Sequence, residues 1–303
     1  VYDIAVAVRA CLRAGTKVDV AWTVKTRGLG AWDPNEALAF TPGGGRVGSV
    51  LSGALDGQLA EAVAAGAVGR LVALEIDDGH ALVAGLPGGG EARCLLVGAG
   101  DLPTELWDRL VRREPLCLVT RLDGDRVVGT QVYGAATVAE AGDEVATLFD
   151  GSRTSTAMLE DGRVVTVLVP VPKLYVVGAG PMAEALAAAA SLLGWHVRGF
   201  TESGEATAHI PGLSALDSIV VFGHDDGLTG PALKAALDGP VGYIGGVGPR
   251  SVQDSRADWL RTRGVDDLRR IHGPAGLPIG AATPAEIAVS VLAEAIAARR
   301  PEH

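Results

Sequence analysis

The chain has 303 residues, a formal net charge of −10 and 20% charged residues. That length suits about two domains with a core in each. The acidic balance excludes a general nucleic-acid binder, whose affinity rests on Lys and Arg against phosphate. An anionic ligand must instead meet local positive charge or a helix N-terminus. Cys11, Cys94 and Cys117 are scattered. They form neither a C-x-x-C pair nor a disulfide framework, which suits a reducing compartment, and no metal-ligating set is expected. Cys11 and Cys117 sit in apolar patterns. No stretch is apolar and long enough to span a bilayer, and the start carries no signal-peptide pattern. A soluble, cytoplasmic protein with no membrane or nucleic-acid partner is expected.

Asp3 is placed to cap a first helix with Ile4, Val8, Cys11 and Leu12 on its apolar face. Val18 to Val24 reads as a strand, and Lys25 to Gly30 is either an anion-receiving turn or a solvated strand end. A short strand over 37–41 follows. Ser49 and Ser52 then stand before a helix carrying Leu55, Leu59 and Val63. They mark either an anion cradle or a turn with Ser52 as cap. Strand-like runs cover 71–76, 81–84, 93–97, 116–121 and 127–133, with a helix over 103–113. Pro170-Val171-Pro172 stiffens an extended connector. It divides the chain into an N-terminal α+β domain (1–170) and a C-terminal α/β domain (171–303).

The second domain opens on Leu174-Tyr175-Val176-Val177-Gly178-Ala179-Gly180-Pro181-Met182-Ala183. Four apolar residues in a row read as a strand buried on both faces, turning on glycines into an alanine-rich helix. The pattern is G-x-G-x-x-A: Gly178 for the tight turn, Gly180 for close approach of an anion, Ala183 for close helix packing. Gly194 suits a left-handed helix stop. Glu202 ends a second strand (195–200), at the distance where such folds hold a ribose hydroxyl. A third strand (218–222) ends in Gly223-His224-Asp225-Asp226. His224 with Asp225 is a candidate acid/base pair or a solvated one.

Pro231 reads as the start of a helix. A fourth strand (241–244) leads into Gly245-Gly246-Val247-Gly248-Pro249-Arg250, a second glycine turn, with Ser251 and Asp254 as a capping box. Arg250 either meets a phosphate or lies at the surface. The loop 271–280 is rich in glycine and proline, and Thr283-Pro284-Ala285-Glu286 starts the last helix. About four parallel strands are expected.

Four of these stretches occur in a characteristic order. They are Phe222-Gly223-His224-Asp225, Tyr243-Ile244-Gly245-Gly246-Val247-Gly248-Pro249-Arg250, Ile271-His272-Gly273-Pro274-Ala275-Gly276-Leu277 and Thr283-Pro284-Ala285-Glu286-Ile287-Ala288. With Gly178-Ala179-Gly180 they resemble the C-terminal domain of the XdhC/CoxI family, the xanthine dehydrogenase accessory proteins. The N-terminal domain is similar to the same family at Thr26, Gly28, Pro34, Thr41-Pro42 and Gly48-Ser49-Val50.

The resemblance implies a Rossmann-like parallel sheet preceded by a smaller α+β domain. It also implies a maturation factor rather than a catalyst. Such a factor binds molybdenum cofactor, assists its sulfuration with a cysteine desulfurase, and delivers it to the large subunit of a molybdenum hydroxylase of the xanthine or CO dehydrogenase type. A homodimer is expected. The cofactor-binding candidates are Gly178, Gly180, Glu202, Gly246, Gly248, Arg250, His272, Ser49 and Ser52, with the ligand at the glycine turns between the domains.

Four departures stand out. The family's two cysteine positions are Ala54 and Gly88, its Gly-Ser-x-Pro-Arg run is replaced by Gly28-Leu29-Gly30-Ala31-Trp32, and the serine before Arg250 is Pro249. Alanine and glycine cannot ligate molybdenum or relay sulfur. Two alternatives therefore stand beside the carrier: an NAD(P)-dependent oxidoreductase that uses Glu202, and a degenerate paralogue acting as a scaffold.

Overall fold

The computed structural model describes residues 1–149 and 153–299. They group into two compact units, Val1–Pro170 and the chain from Val171 onward. The first unit is the larger of the two, where a smaller domain was expected.

Its helices are α1 (Tyr2–Arg13), α2 (Asp56–Ala64), α3 (Asp78–Val83), α4 (Leu106–Val111) and α5 (Asp143–Leu148). Its strands are β1 (Asp19–Arg27), β2 (Leu38–Phe40), β3 (Arg46–Gly48), β4 (Arg70–Ile76), β5 (Gly90–Gly98), β6 (Leu116–Asp123), β7 (Arg126–Tyr133), β8 (Ser155–Met158) and β9 (Arg163–Leu168). They form one antiparallel sheet in the order β3-β2-β1-β5-β4-β7-β6-β9-β8. The β4–β7 join is a single pair, Arg70 opposite Arg126. Strands five places apart in a flat sheet would lie about 24 Å from each other. Yet Trp22 Nε1 on β1 donates to Thr166 Oγ1 on β9 at 3.2 Å, so the sheet folds back at that weak join. Val20, Trp22 and Leu95 then share one core with Leu118 and Val164. Ala21, Leu38 and Leu96 face a second core that includes Leu55 and Leu59.

Two expectations fail here for capping reasons. The run 81–84 is helical in α3, because the Asp77 carboxylate accepts from His80 N–H and starts a helix there. Asp3 lies inside the first turn of α1, whose N-cap is Val1.

The second unit alternates strand and helix. Its elements are β10 (Lys173–Val177), α6 (Pro181–Leu192), β11 (His196–Phe200), α7 (Ser203–His209), β12 (Ser218–Val221), α8 (Asp226–Leu237), β13 (Tyr243–Gly246), α9 (Arg250–Arg261), β14 (Ile271–His272) and α10 (Pro284–Ala298). Among the described residues the sheet has five strands rather than about four, ordered β11-β10-β12-β13-β14, and every pair is parallel. The side-chain period of two explains the layers. Leu174, Val176 and Val220 face α6 and α10, whereas Tyr175, Val177, Ile219 and Val221 face α7, α8 and α9. Both faces are covered, which is why the strands read as unbroken apolar runs. Gly194, just past α6, takes φ +74° as its left-handed stop.

The chain leaves β10 for one face and β12 for the other. The two strands are neighbours, so a crevice opens at their carboxyl ends.

Candidate functional site

Three strand-end turns of the second unit border that edge. In the first, Gly178 donates to Phe200 O at 2.8 Å and takes φ +114°. A Cβ there would stand 2.6 Å from Phe222 O, so only glycine permits β10 and β12 to close at this point. Gly180, at φ +107°, is the N-cap of α6 and has no side chain to offer the helix. A Cβ on Gly180 would meet nothing within 4 Å, so this glycine faces open space. Pro181 contributes no N–H, and the amides of Met182 and Ala183 lack intrahelical acceptors. That open N-terminus suits an anion. Glu202, two residues past the Phe200 that pairs with Val177, is exposed at the N-cap of α7 and makes no capping bond.

The second turn is closed. Asp225 Oδ1 accepts from Gly227 N–H at 2.8 Å and caps α8. His224 is exposed, and no hydrogen bond joins it to Asp225 among the described residues. Of the two readings of His224 with Asp225, the geometry is that of a solvated pair, with Asp225 Oδ1 turned to the helix end. The same cap starts α8 at Asp226, which leaves Pro231 inside the helix rather than at its start.

The third turn is braced from beneath. Gln253 Nε2 donates to Gly246 O at 2.9 Å and to Gly248 O at 3.0 Å. Arg256, only 2% exposed, donates from Nη1 to Val247 O at 3.0 Å and from Nη2 to Gly223 O at 2.8 Å. One guanidinium thus ties the second turn to the third. Burial pushes its pKa down, opposed by the charge of Asp226. Reading the chain for motifs missed Arg256. Its one signal is the i, i+4, i+8 series Val252–Arg256–Leu260 on the buried face of α9. Helix α9 begins at Arg250 with Pro249 as N-cap and no capping side chain, so Ser251 and Asp254 make no capping box. Arg250 is exposed, and its side chain makes no hydrogen bond or ion pair among the described residues.

His272, on β14, stands opposite Gly245 of β13. Its Nδ1 lies 3.2 Å from Glu294 Oε1, and its ring packs on that of Tyr243 at 4.7 Å. The other Glu294 oxygen accepts from Tyr243 Oη at 2.6 Å and from Gly276 N–H at 2.7 Å. Burial raises the Glu294 pKa, but the bonds from Tyr243, Gly276 and His272 outweigh it and hold the carboxyl below its ordinary range. Burial and the Glu294 charge push the Tyr243 phenol up. The glycine-rich loop after β14 is thereby pinned to α10, where Ser290 Oγ also donates to Leu277 O at 2.7 Å. The Thr283–Glu286 capping box forms at the start of α10.

Ser49 and Ser52 belong to the first unit. Ser52 does not cap α2, whose N-cap is Leu55. Leu51 and Ser52 adopt φ of +51° and +55°, and the Ser52 N–H donates to the Glu36 carboxylate at 3.1 Å. A carboxylate of the chain itself already occupies that donor. Burial raises the Glu36 pKa against the pull of the Ser52 N–H.

Cys94 and Cys117 are buried thiols pushed up to about 12 by burial, which keeps them protonated. Among the described residues no group of three or more His, Cys, Asp or Glu is placed to hold a metal. Neither buried thiol is therefore a thiolate donor for molybdenum, while the open N-terminus after β10 has the backbone donors that suit a phosphate.

Residues 174–295, within the second unit, match the family model of the XdhC Rossmann domain. The chain is 30% identical over 144 residues to the Escherichia coli (strain K12) protein YqeB, covering 41% of this chain and 26% of that one. It thus spans about a quarter of the length of this curated relative. A crystal structure of a xanthine dehydrogenase from Bacillus halodurans superposes with a TM-score of 0.53 at 17% identity, over 97% of this chain and 95% of that one. That likeness establishes the shared fold. No helix among the described residues is long and apolar enough to cross a membrane.

Proposed function

We propose that this XdhC-domain protein is an accessory factor for a molybdenum hydroxylase of the xanthine dehydrogenase type. In this role it binds the phosphate-bearing end of molybdenum cofactor and helps its sulfuration and insertion. One observation carries the reading: a match to the XdhC Rossmann domain whose β10–α6 turn, with left-handed Gly178 and Gly180, leaves the N-terminus of α6 open. The amides of Met182 and Ala183 take the anion, Gly180 keeps their approach free of side chains, and Arg250 adds charge from the turn after β13. Glu202 accepts from a ligand hydroxyl. A bound cofactor supplies the phosphate for this turn and, in the hydroxylase, the redox metal. With Ala54 and Gly88 at the family's cysteine positions, this chain offers the metal no thiolate there. The large hydroxylase subunit and a cysteine desulfurase are the proposed partners, in the cytoplasm, with the factor itself a homodimer.

The test is molybdopterin content. The protein is purified from a cofactor-producing host, oxidised with acid and iodine, and the fluorescent pterin is quantified. Near-stoichiometric pterin, lost in Gly180→Val and Arg250→Ala without unfolding, supports the assignment. Equal retention in both variants overturns the site, and no pterin overturns the carrier role.

Glu202 favours a second reading, an NAD-binding protein. Its charge repels a 2′-phosphate and so disfavours NADP. Calorimetric titration with NADH separates the two: saturable binding that Glu202→Ala abolishes selects the dinucleotide.

A further inference from the structure

The corner where β13 meets β14 holds a titratable pair that the phosphate-binding turn does not use. Glu294 anchors Tyr243 and Gly276 through Oε2 alone. The loop is therefore held without Oε1, which is left to face His272 Nδ1 at 3.2 Å. An ionised carboxylate only accepts, so it favours the neutral imidazole that carries its proton on Nδ1, the tautomer whose lone pair is on Nε2. The His272 side chain is 35% exposed, and its Nε2 has no hydrogen-bond partner among the described residues. The neighbourhood is part of the strand-end edge. A Cβ on Gly273 would touch Gln253 Oε1 at 3.0 Å, and Gln253 is the side chain that holds the carbonyls of the β13–α9 turn.

We propose that His272 is a proton-accepting residue for a ligand that reaches the β13–α9 turn and carries an ionisable O–H or N–H. The identity of that ligand as a pterin rests on the function proposed above; the assignment of the nitrogen does not. The ligand's X–H bond breaks with its electron pair left on X, and an Nε2–H bond forms. The resulting imidazolium is balanced by Glu294, which stays ionised throughout, as a carboxylate behind a histidine does in a hydrolytic triad. The proton returns to the ligand, or passes to water, when the ligand leaves. No oxidant or further reactant is needed. A purely structural histidine would need only its ring face against Tyr243.

Two measurements on the full chain decide it. Nitrogen-15 NMR of the imidazoles should show His272 as the Nδ1–H tautomer in the wild-type protein and in Tyr243→Phe. It should show a shift toward the Nε2–H tautomer in Glu294→Gln. An Nε2–H tautomer in the wild type overturns the proposal. The second measurement is pterin retention in the host described above. His272→Gln and Glu294→Gln should each lower it about tenfold, the size of one charge-assisted hydrogen bond. Tyr243→Phe, which keeps the His–Glu pair, should retain it. Equal losses in all three variants would mark a packing role and overturn proton acceptance, as would no loss in His272→Gln. A wild-type protein without pterin counts against the carrier function alone, and the tautomer then decides the role of His272.

Discussion

The turns after β10 and β12 lie side by side and look alike. Each has a glycine with positive φ, Gly178 at +114° and Gly223 at +91°, and each leads into a helix of 12 residues. They differ at the N-cap. Gly180 leaves the N-terminus of α6 open, whereas Asp225 folds its carboxylate onto α8 and fills the same kind of site. Position at the switch point of a parallel sheet therefore does not by itself leave a helix N-terminus open; the residue at the N-cap decides. The contrast also explains His224. A carboxylate adjacent in sequence is spent on the helix, while His272 finds its carboxylate 22 positions away, on another element.

The largest loss is expected at Arg256, which braces the second turn against the third. Arg256→Met strips the donors from Gly223 O and Val247 O. It should cost about 3 kcal/mol in denaturant unfolding, since each buried carbonyl left unpaired costs roughly 1–3 kcal/mol. Gly178→Ala comes next, at about 2 kcal/mol, because left-handed strain adds to a Cβ 2.6 Å from a backbone oxygen. Gly180→Ala carries the strain without the clash and should cost about 1 kcal/mol. Urea midpoints of the two glycine variants would rank them. If Gly180→Ala proved as costly as Gly178→Ala, the open space above Gly180 would be wrong.

Asp225→Ala makes the second turn resemble the first by removing its cap. A loss of about 1 kcal/mol is expected, and Asp225→Asn should recover most of it. The smallest effect is a pH dependence. The folded-state pKa of Glu294 is held below its ordinary value of 4.5. Its contribution is therefore fully present above that value and is lost as pH falls through the lower folded one. Stability against pH should flatten on the acid side in Glu294→Gln, as read by thermal unfolding at stepped pH.

Much of the second unit was legible from local pattern. The apolar run at 174–177, the glycine turn, Gly194 past the helix and the Thr283–Glu286 box all rest on contacts within a few residues, which periodicity and capping chemistry report directly. The elements misread in the chain, 81–84, Pro231 and the supposed Ser251 cap, are places where one capping choice shifted a helix start. Strand β14 escaped notice because two residues carry no periodicity. The first unit was less legible: folding its sheet back buries both faces of β1, and the hydrogen bond from Trp22 to Thr166 spans 144 positions.

Local pattern in the chain was enough for a parallel α/β unit with a glycine turn at Gly178–Gly180, and it left no cysteine at positions 54 and 88. The chain's packing in space made Arg256 the brace and set Glu294 against His272. Backbone conformation answers to neighbours in the chain, so turns and caps are written locally. A side chain's partner answers to neighbours in space. Those neighbours are set when β12, β13 and β14 align and the helices close over them.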